Sequence, residues 1–413
     1  MKNLLSNIFY TSTAKDTAIV FVGTAVNITA GGVFFILAPR ILGPADFGIF
    51  STIVATGILA LNIANFGLDT AILRFAKKGT DEFNSVLSFA FKAYIILGML
   101  TAFFGVIFAG FIAQILNQPE LTKLLQIAFI SSVFLLLNNF YASALQAKGE
   151  FAKASIVGIS SNIARIIILV FAAYFFIIGV YFVTVLFFFI NIVSIIIGKI
   201  FLPVHLEKTN IGDIKKYLRY NFWIALSVII PSIPLDNYLL LKLAGPIQTG
   251  IYAAPFKLLT FSYQFGGNFT RVLASRFSSF DTDKKAIDFA KKSTAFVIFF
   301  AIGLVFLILL ATPVTKLVLG DQYRSSIIIM QILSAGFIFF FAATIPTSLI
   351  LYYFGKSQIT FLITCIHTGS FLAMLLLFVP QDQAVGAAWA FSLSEFLALT
   401  LMSAYVFLKF KKV

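Results

Sequence analysis

Arg165 and Lys257 each fall well inside a long apolar stretch, where an insertion scale puts the cost of a charge at ~2.5–3.5 kcal/mol. A cation at such depth needs an anion, a set of hydrogen-bond acceptors or a wet cavity. Lys92 lies in a third apolar stretch, and Arg74 and Arg271 lie near the ends of two more. Together these five outline a cavity of basic character. Phosphate oxygens suit such a cavity, because Arg and Lys give them charge-assisted hydrogen bonds. Two carboxylates share the apolar depth, Asp236 and Glu395, with Asp69 as a third. Each is a candidate to alternate between protonated and ionised forms, and so to bind and release a proton or a sodium ion.

Amides and hydroxyls accompany these charges. Asn62, Asn65 and Asp69 stand at i, i+3 and i+7, one face of a helix. Asn139, Ser143 and Gln146 form a second stripe, Asn162 and Arg165 share a third, and Asn191, Ser194 and Gly198 a fourth. The lone Asn and Ser residues read as interhelical hydrogen-bonding groups. Asn62, Asn65, Asn139 and Asn162 are the amides best placed to line a polar interior. Asp236 and Lys257 either pair with each other or face water. Pro231, Pro234 and Pro255 flank them, and Pro346 adds a break further on. Proline removes a backbone donor and bends a helix, and broken helices at membrane depth border cavities. No Cys/His spacing suggests a metal or cofactor site: Cys365 is the single cysteine, and His205 and His367 are isolated. His367 reads as a helix–helix hydrogen-bonding residue, with proton transfer as the alternative.

The elements that must position these groups are transmembrane helices. Hydrophobic residues make up 60% of the 413-residue chain and charged residues 11%, against roughly 45–50% and about 25% in soluble domains. Apolar stretches of helix-spanning length recur throughout. Twelve spans are predicted, at about 17–39, 46–72, 86–116, 121–146, 154–178, 180–202, 219–243, 248–272, 293–315, 326–351, 358–379 and 385–408. The net charge of +14 reads as an orientation signal and not as a nucleic-acid surface. With both termini cytoplasmic, 22 of the 30 Lys and Arg fall on the cytoplasmic side and four on the outer side, Arg40, Lys242, Lys316 and Arg324. The expected location is therefore the cell (inner) membrane, multi-pass. Leu4, Leu5, Ile8 and Phe9 are spaced for a short interfacial helix, and no cleavable signal peptide is evident.

The chain also repeats itself. Arg40-Ile41-Leu42-Gly43-Pro44 followed by Gly48-Ile49-Phe50 returns as Lys242-Leu243-Ala244-Gly245-Pro246 followed by Gly250-Ile251-Tyr252, an offset of 202 positions. Six spans per half make the two copies parallel repeats. The expected organisation is an all-α integral membrane protein with two six-helix lobes, 1–206 and 207–413. The joint at 203–218 reads as an amphipathic interfacial linker with Lys215, Lys216 and Arg219 toward anionic headgroups.

The segment from Leu42 through Ser51, followed by Asn65-Phe66-Gly67-Leu68, resembles the start of the Wzx-type polysaccharide flippases of the multidrug/oligosaccharidyl-lipid/polysaccharide exporter superfamily. Leu145-Gln146-Ala147-Lys148-Gly149, Leu319-Gly320-Asp321-Gln322-Tyr323 and Gly386-Ala387-Ala388 resemble later landmarks of the same family, in the same order. The resemblance implies two lobes around a cleft and a polyprenyl-diphosphate-linked oligosaccharide flipped to the outer leaflet. It implies membrane lipids, protons or sodium ions, and glycan polymerase machinery as partners. It places no strict catalytic motif on numbered positions.

Three other readings compete. A multidrug exporter of the same superfamily often relies on a carboxylate in the first helix, and span 17–39 has none. A major-facilitator transporter carries a Gly-x-x-x-Asp-Arg type loop, which is missing between Arg74 and Ser85. A polytopic glycan polymerase or ligase needs a large outer loop, and the longest predicted here runs only from about 316 to 325.

Overall fold

The computed structural model describes residues 12–76, 82–204 and 229–411, with the side chains of residues 12–21 and a few others, Arg74 and Arg271 among them, outside the description. The predicted N-terminal interfacial helix, His205 and most of the 203–218 joint lie outside the described residues.

The described residues are helical almost throughout. In chain order the α-helices are α1 (Ser12–Asn65), α2 (Leu68–Phe75), α3 (Glu82–Ile115), α4 (Thr122–Ile130), α5 (Ser132–Ala147), α6 (Phe151–Phe175), α7 (Val180–Phe189) and α8 (Asn191–Phe201). They continue with α9 (Leu235–Phe277), α10 (Asp283–Leu309), α11 (Ala311–Val318), α12 (Ser326–Ser348) and α13 (Ser357–Lys411). Eight of the described helical stretches are long and apolar enough to cross a membrane. Three helices are bent pairs of limbs: α1 turns at Gly43, α9 at Gly245 and α13 at Gln383. The predicted pairs of spans around those residues are thus adjoining limbs with a corner and almost no loop. This is the all-α membrane fold of about twelve crossings that the apolar pattern predicts.

The breaks have local causes. Gly43 (φ 73, ψ 172) and Gly245 (φ 82, ψ 177) hold backbone conformations that are essentially open to glycine alone, and each is followed by a proline suited to restart a helix. Before α9, Ile230–Ser232 forms a 3-10 turn and Pro234 precedes the helix start at Leu235, as the proline spacing predicts. Pro255 lies inside α9 without a break, whereas Pro346 precedes a π-helical segment, Leu349–Tyr353. Three further interruptions fall within predicted spans that contain no proline, the first at Phe66 and Gly67 between α1 and α2. At Ser131, between α4 and α5, the hydroxyl donates to the Ala128 carbonyl at 2.6 Å. At Ile190, between α7 and α8, Asn191 Nδ2 donates to the Phe188 carbonyl at 2.8 Å.

The chain divides into two compact units. Unit 1 is Met1–Phe34 with Thr52–Pro234, and unit 2 is Phe35–Ser51 with Leu235–Val413. In lipid the helices gain nothing from hiding apolar surface from water, so close packing and hydrogen bonds must hold them. Unit 1 shows the packing device plainly: Gly57 lies against the Phe188 ring and Gly198 against Tyr141, each too close for a Cβ to enter without a shift. Unit 2 is built on an aromatic ladder. Tyr252 stacks on Phe256 at 5.4 Å, Phe256 meets Phe391 edge-on at 5.4 Å, and Phe337 joins Phe391 at 5.3 Å and Tyr263 at 5.0 Å.

Candidate functional site

In unit 1 the site is built around Arg165. α6 is an apolar helix, and Arg165 in its middle is only 6% exposed. Nη1 donates to Asn162 Oδ1 at 2.7 Å, one turn back on the same helix. Nη2 donates to the Phe187 carbonyl at 3.0 Å, close to the break between α7 and α8. The guanidinium lies over the Phe187 ring at 4.2 Å and the Phe34 ring at 5.3 Å, favourable cation–π geometry. Asn162 passes the chain of polar contacts on to α1, donating through Nδ2 to Asn27 Oδ1 at 2.7 Å. The predicted pairing of Asn162 and Arg165 on one face is therefore direct contact. What Arg165 lacks is a negative partner. It forms no ion pair among the described residues, and its buried Nε–H has no acceptor.

A second polar group in unit 1 gathers where α1 gives way to α2. The helical register that would align Asn62 with Asp69 is interrupted at Phe66 and Gly67, both at positive φ. Asn65 nevertheless donates to Asp69 Oδ1 at 3.0 Å and accepts from the Tyr94 hydroxyl of α3 at 2.9 Å. Lys92, also on α3, is half-buried, as are Asn62 and Asn139. The Asn62 and Asn139 side chains make no hydrogen bond among the described residues. Instead their neighbour Asn138 bonds Asn191 Oδ1 at 3.2 Å, and Ser160 meets Ser194 at 3.0 Å. Arg74 and Arg271 lie on α2 and α9, their side chains outside the description.

In unit 2 two buried carboxylates anchor the site. Asp236 follows the proline break, in the first turn of α9, where a carboxylate complements the exposed N–H groups and the helix dipole. Its Oδ1 accepts from the Asn237 backbone N–H at 2.8 Å and from Asn237 Nδ2 at 3.3 Å, and its Oδ2 accepts from the Tyr252 hydroxyl at 3.0 Å. Ser51 donates to Asn237 Oδ1 at 3.3 Å. Of the two readings for Asp236 and Lys257, close pairing is not what forms. Lys257 is half-buried, lies 5.9 Å from the Phe35 ring centre and feels Asp236 electrostatically, without an ion pair inside 4.0 Å. Glu395, on α13, is 7% exposed, and its Oε1 stands 3.6 Å from His367 Nε2. Tyr263 lies within electrostatic reach of both Glu395 and Asp236.

The partners that complete these groups, Tyr94, Tyr252, Tyr263 and Phe187, are not singled out by sequence reasoning. Aromatic residues in an apolar stretch look alike whether they face lipid or a polar neighbour. Tyr252 alone carries a signal, since it ends the second copy of the repeat. Among the described residues no cluster of His, Cys, Asp and Glu could hold a metal ion. A groove of about 350 Å³ in unit 1 is lined by Ala60, Ala64, Leu97, Thr101, Gly105 and Phe129 among others. Its apolar lining suits hydrocarbon, and none of the polar candidates reaches it. Chemically, unit 1 holds a buried cation with a free donor, and unit 2 holds one fully bonded carboxylate and one sparsely bonded one.

Known proteins show the same fold and a family relationship. The profile described as "Polysaccharide biosynthesis protein" matches residues 36–328. A protein of Shigella flexneri named as an O-antigen transporter is 24% identical over 380 residues, covering 88% of this chain and 90% of that protein. The lipopolysaccharide biosynthesis protein WzxC of Escherichia coli K12 is 22% identical over 410 residues, covering 96% of this chain and 80% of that protein. Among solved structures, the inward closed conformation of the lipid II flippase MurJ superposes with a TM-score of 0.73 at 16% identity, covering 95% of this chain and 87% of that one. An inward-facing multidrug resistance MATE transporter of the MOP superfamily superposes with a TM-score of 0.78 at 14% identity, covering 94% of this chain and 95% of that one. The resemblance to Wzx-type flippases drawn from the sequence motifs stands, and the chain belongs to the polysaccharide biosynthesis protein family.

Proposed function

We propose that the protein is a flippase that moves a polyprenyl-diphosphate-linked oligosaccharide from the cytoplasmic to the outer leaflet by alternating access. The observation that carries this reading is Arg165, a buried guanidinium with no carboxylate partner and one unused donor among the described residues. A buried charge left unpaired is costly unless function retains it, and a diphosphate supplies the missing anion. Lys257 is the corresponding cation in unit 2. Lys92, Arg74 and Arg271 complete the basic lining in this proposal, with Asn62, Asn65, Asn139 and Asn162 as polar lining. The two halves of the sequence act as the two lobes, with both termini cytoplasmic.

The electrical gradient supports the direction. A diphosphate diester carries about two negative charges, and with the interior negative by about 100 mV, each charge moved outward gains ~2.3 kcal/mol. In this reading ion coupling falls to Glu395. Both oxygens of Asp236 already accept hydrogen bonds, whereas the Glu395 side chain makes none among the described residues and has His367 at 3.6 Å and Tyr263 within electrostatic reach. The fold is shared with MATE transporters, but the multidrug reading gives Arg165 no role, because a cationic drug would be repelled there.

Reconstitution into vesicles with a fluorescent polyprenyl-diphosphate oligosaccharide, scored for accessibility in each leaflet, tests the proposal. Arg165→Ala and Lys257→Ala are expected to impair flipping while leaving expression intact. Native flipping in both variants overturns the cationic-site reading.

A further inference from the structure

At one end of unit 2 the first turns of α10 carry a basic face. Lys284, Lys285, Lys291 and Lys292 are all exposed there. At 3.6 residues per turn the four fall within about 120° of the helix circumference and along about 12 Å of its axis. Asp288 lies in the same arc, three or four positions from each lysine, yet forms no ion pair inside 4.0 Å with any of them. The ammonium groups therefore keep their donors for something outside the helix.

The opposite face of the same turns is fixed. Ala286 is fully buried, Phe289 meets Phe277 edge-on at 5.2 Å and Phe280 at 5.4 Å, and Asp283 accepts from the Tyr353 hydroxyl. Tyr353 in turn lies 6.2 Å from the Phe410 ring at the end of α13, which brings the exposed Lys409 and Lys411 to the same end of the unit. A rigid backbone thus presents the lysines. Orientation alone does not call for this arrangement, because the positive-inside rule weighs cations near a crossing and assigns them no face. The third span of the first half begins with one cation in Glu82–Lys92, where the third span of the second half has four in Asp283–Ser293.

The residues that follow point to the occupant. Phe299, Ile302 and Phe306 continue the basic arc along α10, and all three are exposed, as are Phe407 and Leu408 beside Lys409 on α13. At membrane depth such a stripe faces acyl chains. The lysines just before it stand at the level of lipid phosphates, with their stems along the hydrocarbon and their charges toward the headgroups. Clusters of four to eight basic residues at a cytoplasmic membrane boundary suit anionic lipids. A water-soluble acidic partner would meet the lysines and leave the phenylalanines uncovered, whereas a phospholipid covers both.

We propose that this face is a docking surface for anionic phospholipids of the cytoplasmic leaflet: Lys284, Lys285, Lys291 and Lys292, with Lys409 and Lys411 beside them, hold headgroup phosphates, and the exposed stripe that follows holds an acyl chain. The inference uses the orientation proposed above and is independent of the cargo. Phosphatidylglycerol and phosphatidylcholine carrying the same acyl-chain fluorophore are titrated onto the purified protein in neutral detergent, and binding is read by anisotropy. Phosphatidylglycerol is expected to bind at least tenfold tighter, and less tightly in high salt, which screens exposed charges. The preference should fall below threefold when Lys284, Lys285, Lys291 and Lys292 are all replaced by Gln, and return when the same four are replaced by Arg. Equal affinity of the native protein for the two lipids overturns the proposal, and so does a Gln variant that keeps the tenfold preference. Because the readout is binding, either result leaves the flippase reading intact, and a failure to flip leaves the lipid surface intact.

Discussion

Replacing Arg165 with Met separates a cation that works from a cation that merely holds helices together. Met approximates the length of the side chain and fills much of the space between the Phe34 and Phe187 rings, while removing the charge and the donors to Asn162 and Phe187. Swapping a buried charged group for apolar side chains of similar volume is often neutral or stabilising, by about 1–4 kcal/mol. The Phe187 carbonyl keeps a second, long contact from Asn191 at 3.5 Å, and Asn162 keeps Asn27. The purified variant should therefore melt no lower than the native protein. Binding is different. One charge-assisted hydrogen bond from the free Nε–H to a diphosphate oxygen contributes about 1.5–3 kcal/mol, which corresponds to roughly 10- to 150-fold in affinity. Thermal unfolding in detergent measures the first effect, and leaflet accessibility of a fluorescent lipid-linked oligosaccharide in vesicles measures the second. Arg165→Lys keeps the charge without the planar fork that stacks on the rings, and should fall between the two. A Met variant that melts lower and flips at the native rate reverses both expectations, and would make Arg165 a structural clamp on the α7–α8 break.

Three further expectations follow from the geometry. Asp236→Leu strands the Asn237 and Tyr252 donors and should lower stability by about 1–3 kcal/mol per donor left unpaired; Asp236→Asn should cost less, since the Tyr252 hydroxyl can turn to accept, and denaturation midpoints of the two compare them. Gly245→Ala forces a side chain into a conformation reserved for glycine and should cost about 1–3 kcal/mol, read from the same midpoints. Glu150, in the α5–α6 connection, is held below the usual carboxylate range by its hydrogen bond to Lys153 and by Lys148, at 2.7 and 3.0 Å. Its stabilising contribution is complete above the ordinary carboxylate value of about 4.3 and fades as pH falls through the lowered one, so the melting difference between native and Glu150→Gln should be flat near neutrality and vanish in acid.

Some of this architecture is readable in the residues and some is not, for physical reasons. Apolar length announces the crossings, and Gly-Pro at 43–44 and 245–246 announces the corners, because few sequences other than glycine can adopt those angles. The Asn162–Arg165 spacing foretells a contact that local helix geometry makes almost unavoidable. The interruptions at Ser131 and Ile190 are hidden, since a serine or asparagine that takes over a backbone carbonyl looks like any other polar residue in a helix. Asp236 illustrates a deeper limit. Its choice of Tyr252 and Asn237 over Lys257 depends on where the helix restarts after Pro234, and that is a tertiary outcome. The burial of His367 next to Glu395 is likewise set by packing within α13 and across its Gln383 corner.

Gly48 stands against the Pro246 carbonyl and Gly250 against the Pro44 carbonyl, too close for a Cβ on either to enter without a shift, and this mutual seating of the two repeat copies has a consequence for how this protein can evolve. Duplicated segments ordinarily drift apart once each has its own duties. Here a substitution in one copy is felt at once by the backbone of the other, so Gly48 and Gly250 are expected to change together or to stay fixed, and the corner around Gly43 should accept the octapeptide that surrounds Gly245 as a transplant. A lineage that lost one of the glycines would have to reshape both corners in compensation.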